Sequence, residues 1–172
     1  MTRFELLGMA ALILGSGCGR APSPDSASAR RAEAAADSGF AAVQERGRAA
    51  MGVDQFTSTH QFVPLADGGR IELQREVDDS AGVAQIRLHV RHIAREFARG
   101  NFEVPGFVHD RAEVPGTRVM REKRDVIRYE SRALPRGGEL RISSGDPDAI
   151  QAIHTFLAFQ RSEHRAPGHV MH

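Results

Sequence analysis

Two stretches, VPLADGGRIELQ (63–74) and RALPRGGELRIS (132–143), decide how this chain folds. Each holds a leucine, a Gly-Gly pair three residues later, and then two alternating aliphatics. The pattern falls on Leu65, Gly68, Gly69, Ile71 and Leu73 in the first, and on Leu134, Gly137, Gly138, Leu140 and Ile142 in the second. Glycine supplies the positive φ of a tight hairpin turn, and the alternation that follows is that of a half-buried strand. An acidic cap and a helix follow each hairpin. The spacing predicts an α+β fold: two ββα units joined by a long irregular loop in a single small domain.

Working outward, the first helix should begin after Asp78, Asp79 and Ser80 and stop at Gly100. Val83, Ile86, Val90, Ile93 and Phe97 recur at helical spacing and make one apolar stripe. The second should begin at Asp146 with Pro147 in its first turn, a favourable start because φ is already fixed there. Ile150, Ile153, Phe156 and Leu157 form its core face. Between the helices, NFEVPGFVHDRAEVPGTRVM (101–120) has two Pro-Gly pairs and no clear period, which reads as loop.

The chain opens with MTRFELLGMAALILGSGCGR, in which Leu6 to Leu14 form a short apolar run. A membrane-spanning helix takes roughly 20 residues, so this run reads as an export signal, with Gly15, Ser16 and Gly17 as the small residues before cleavage. Cys18 is the one cysteine, so it has no internal disulfide partner. Its setting resembles the lipobox of bacterial lipoproteins, with Gly15 where that pattern prefers leucine. The resemblance implies lipidation of Cys18 and a membrane anchor; a cleaved, soluble periplasmic protein is the alternative. Residues 19–50 are rich in Ala, Ser, Pro and Arg and are expected to be a flexible tether. The expected organisation is then signal peptide 1–18, tether 19–50, α+β domain 51–166 and a disordered His/Met tail 167–172.

Lysine and arginine total 23 against 22 acids, a formal charge of +1. The charges are interleaved, as in REKRD (121–125), so no basic stripe marks a nucleic-acid partner. Arg128 and Arg132 flank Glu130 on one strand face and read as an outward ion-paired surface.

The histidines are the residues that carry chemistry. His89 borders the first helical stripe, His154 lies within the second, and His60 shares a strand face with Phe56 and Phe62. An imidazole buried without a partner costs roughly 1–3 kcal/mol. Three aimed at apolar surface from separate elements call for a shared proton or cation. The expected site is therefore a transition-metal centre on His60, His89 and His154, with His109 and Met120 as further ligands. Methionine would favour copper, and a carboxylate would favour zinc. HExxH, CxxC and EF-hand patterns are absent from the sequence, as is a GxSxG elbow. The chain thus reads as a binding domain rather than an enzyme. The rival reading is a metal-free envelope domain that meets a protein partner; the weakest is a hydrolase using His109 and Asp110.

Over residues 51–164 the chain also resembles an uncharacterised bacterial family that goes under the label aspartate carbamoyltransferase. The resemblance lies in TSTHQF (57–62), ADGGRIEL (66–73), HIAREFARGNFEVPGFVHD (92–110), VPGTRVM (114–120), GGELRI (137–142) and AIHTFLAFQRSEH (152–164). It implies a domain beginning near Met51. That enzyme's phosphate-binding Ser-Thr-Arg-Thr and its His-Pro pair are absent here, TSTH (57–60) being the nearest fragment, so the resemblance implies no carbamoyl transfer.

Overall fold

The echo between the two hairpins becomes direct pairing in three dimensions. The structure, a computed structural model, describes residues 24–52 and 57–166. Helix α1 (Pro24–Met51) precedes strands β1 (Ser58–Leu65) and β2 (Gly68–Arg75), then helix α2 (Ser80–Ala98). Short helices α3 (Glu103–His109) and α4 (Thr117–Glu122) lead to β3 (Ile127–Leu134), β4 (Gly137–Ser144) and helix α5 (Pro147–Glu163). The sheet is antiparallel, in the order β1-β2-β4-β3. Ile71 and Leu140 hold equivalent places in the two echoes and face each other across the central β2–β4 pair. The chain is thus the α+β fold of two ββα units that its pattern predicts.

Each helix serves the other unit. Helix α2 packs chiefly on β3 and β4, and α5 on β1 and β2. Each helix thus covers mainly the strands of the other unit. Their shared core contains Ile86 from α2, Ile142 from β4, and Ile153 and Phe156 from α5, each at most 1% exposed. Both helix starts are capped as the acids predict: the Asp79 carboxylate accepts from Gly82 N–H and the Asp146 carboxylate from Ala149 N–H, each at 3.0 Å. Such caps contribute about 1 kcal/mol. The other face of the sheet is polar. There Glu130 sits 3.9 Å from Arg128 and 3.1 Å from Arg132, and Arg70 lies 2.6 Å from Glu72.

Three expectations need correction. The tether expected over residues 19–50 is helical from Pro24, because alanine, arginine and glutamate are strong helix formers even without a broad apolar stripe. Residues from 35 onward belong to one compact unit. Within it Val43 is buried and Arg46 Nε donates to the Val108 carbonyl at 2.7 Å. The loop expected over 101–120 contains α3 and α4; Pro105 sits in the first turn of α3, where its missing N–H is not needed. Of the Gly-Gly pairs, only Gly68 uses a positive φ, at 136°. Gly137 answers to close approach instead, since a Cβ there would run into the Leu73 carbonyl of β2.

The signal peptide, Cys18, Phe56 and the tail lie outside the described residues. Among the described residues, no helix is long and apolar enough to cross a membrane.

Gly137→Ala should destabilise the domain by about 2–3 kcal/mol, since strand or turn must shift to admit the methyl group. Gly145→Ala, which meets nothing within 4 Å, should stay within about 0.5 kcal/mol of the parent. Urea unfolding measures both, and equal midpoints for the two variants would contradict the close-approach argument.

Candidate functional site

Four histidines, His60, His89, His109 and His164, line one cavity of about 110 Å³ between the sheet and the helices. His60 arrives on the inward face of β1, stacked on Phe62 with ring centres 5.8 Å apart. His89 comes from α2, one turn from the buried Ile86 and Ile93. His109 is the last residue of α3, which ends where Asp110 turns left-handed at φ 51°. His164 caps the C-terminus of α5. Apolar side chains make up most of the remaining wall, among them Leu73, Ile93, Phe97 and Phe156.

The rings lie close to one another. His164 is centred 4.9 Å from His60 and 5.1 Å from His109, near-parallel to the first and perpendicular to the second. His109 Nε2 sits 2.8 Å from Gln160 Oε1. With that amide oxygen as acceptor, Nε2 carries the proton and Nδ1 the lone pair. The Nδ1 atoms of His109 and His164 are buried without a hydrogen-bond partner among the described residues. The Glu163 carboxylate stands 3.8 Å from His109 Nδ1.

The apolar surroundings hold these rings neutral. Loss of hydration pushes His60 and His89 down to about 4, helped in each case by a neighbouring imidazole, His89 and His92 respectively. Burial, with His60 and His109 nearby, lowers His164 to about 2. His109 is lowered as well, by burial first, against the opposing pull of Gln160 and Glu163. Neutral imidazole is the form that accepts hydrogen bonds and binds metal ions.

Of the five residues expected as ligands, the fold brings His60, His89 and His109 to the cavity and leaves two outside it. His154 is half-buried and turned to the β1 end, where its Nε2 donates to the Leu65 carbonyl at 2.9 Å. It fastens α5 to the first hairpin. Met120 is fully buried in the hydrophobic core and does not line the cavity; Met51, at the end of α1, does. His164 takes the place that spacing gave to His154. Nor do His109 and Asp110 form a base pair: Asp110 is exposed, and the acid nearest the buried His109 ring is Glu163. Gln160 and Glu163 also belong to the site, and both lie at helical spacing on the face of α5 that carries Phe156. Among the described residues, no three His, Cys, Asp or Glu side chains already stand in a group that could hold a metal ion.

No family model, curated protein or solved structure matches this chain.

Two measurements follow from these contacts. His154→Ala should lower stability by about 1 kcal/mol through the lost bond to Leu65, while leaving the titration of His60 unchanged. Because His60, His89 and His164 have pKa values below that of the unfolded chain, the unfolded state takes up protons first. Stability should therefore be full above about pH 6.5 and fall as the pH drops toward 4. Urea midpoints at successive pH values check the slope, which should be shallower in His60→Gln/His164→Gln.

Proposed function

We propose that the domain binds a transition-metal ion, zinc or copper, through His60, His109 and His164, with His89 beside them. The observation that supports this most is the state of His109. Its Nε2–H is engaged by the Gln160 oxygen, the arrangement that orients a metal-bound imidazole and leaves the other nitrogen free to coordinate. That other nitrogen, Nδ1, and a carboxylate oxygen of Glu163 are both acceptors, 3.8 Å apart. A cation between them satisfies both.

Ring spacing supports the same reading. Two imidazoles on one tetrahedral ion, at metal–nitrogen distances of about 2.0–2.1 Å, have ring centres about 5 Å apart. The His60–His164 and His109–His164 pairs stand at 4.9 and 5.1 Å. Because His60 and His164 lie nearly parallel, binding requires their rings to rotate until the nitrogens converge. Imidazole with a carboxylate suits zinc and copper(II), and Met51 in the wall would favour copper(I). As an exported domain anchored through Cys18, the protein would hold the ion at the cell envelope without catalysing a reaction.

Purified protein loaded with Zn(II) or Cu(II) and dialysed should retain one ion per chain. His169→Gln/His172→Gln serves as the parent, removing tail histidines as rival ligands. Adding His109→Gln and His164→Gln should abolish retention, whereas adding His154→Ala should not. Sub-stoichiometric retention in the parent, or equal retention after loss of His109 and His164, would rule the proposal out.

A further inference from the structure

The cavity is larger than an ion needs, and most of its wall is apolar. At about 110 Å³ it exceeds the space of one water molecule severalfold. The greater part of this wall is hydrocarbon. Phe62, Leu73, Ile93, Phe97, Leu140 and Phe156 contribute ring and branched-chain surface from the sheet, α2 and α5. An engineered cavity lined by Leu, Ile and Phe alone, about 150 Å³, binds benzene; here hydrocarbon of the same kind adjoins a few polar groups. The polar groups of the wall are the four imidazoles and Gln160. Two of those imidazoles carry a buried nitrogen with no hydrogen-bond partner among the described residues, and the Nδ1 of His109 is an acceptor by its tautomer.

We infer that the cavity is a binding site for a small, uncharged aromatic molecule with one hydrogen-bond donor, of the size and polarity of phenol. Its ring takes up the hydrocarbon wall and its hydroxyl donates to an imidazole nitrogen. A charged ligand is disfavoured, because the same apolar wall that keeps the histidines neutral strips hydration from any ion lacking a direct partner. This site goes beyond the metal reading and does not depend on it: the ring pocket exists in the metal-free protein.

The test is a calorimetric or NMR titration of protein stripped of metal with a chelator, using phenol and toluene as probes. Phenol should bind saturably at one site, and toluene, which keeps the ring and lacks the donor, about tenfold more weakly. Val104→Phe, which fills the wall contributed by α3, should abolish binding; should that variant not fold, Ile71→Phe on the sheet floor takes its place. Absence of saturable phenol binding in the parent protein overturns the proposal. So does unchanged binding in the filled variant. Toluene binding as tightly as phenol overturns the assignment of the imidazoles as anchors. Metal retention is measured separately, so failure of the ion site and failure of the ring site leave different records.

Discussion

An imidazole pressed against hydrocarbon is held without its second proton, and its lone pair must then find something to meet. That constraint governs the centre of this protein. Burial lowers three of the four cavity histidines from the ordinary value, to about 4 for His60 and His89 and about 2 for His164. Burial is the main cause, and a neighbouring imidazole adds to it at His60, His89 and His164. His109 has a firm internal partner, Gln160, and that bond fixes which of its nitrogens stays open.

The fold brings these rings together because the two ββα units exchange helices. Helix α5 of the second unit lies on the strands of the first, which sets His164 over His60. Helix α2 of the first unit lies on the strands of the second and brings His89 to the same space. The exchange also explains why the cavity exists at all. Its floor is the sheet, its sides are two helices that cross between halves, and α3 with the end of α1 closes a third side. Burying unsatisfied nitrogens there opposes folding by roughly 1–3 kcal/mol per group. The large apolar core formed by the exchange offsets it.

Much of this was legible in the residues. The hairpins, the start of α2 after Asp79 and the start of α5 after Asp146 follow from alternation, helical spacing and caps, and the outward Arg128–Glu130–Arg132 surface follows from strand period. Helix α1 was not legible, because an alanine-rich run presents no broad apolar stripe and is composed much like a linker. Helices α3 and α4 are one or two turns long and begin beside Pro-Gly pairs that equally mark turns. The histidines divided in the same way. His60 and His89 were placed by period alone. His154 has the right period, yet a carbonyl at the end of β1, distant in sequence, claims its ring. His164 lies past the last apolar residue of α5, so spacing gives it no face; only the chain's path over β1 delivers it to the cavity. Met120 shows that proximity along a sequence does not select a ligand.

The central claim is that these rings share one apolar space and stay unprotonated in it. The most direct measurement is nitrogen-detected NMR of the imidazole side chains in metal-free protein across pH 4–8. The account predicts His109 as the tautomer protonated at Nε2, with His60, His89 and His164 still neutral at pH 5. Ring nitrogens titrating independently near 6.5, as solvated histidines do, would contradict it.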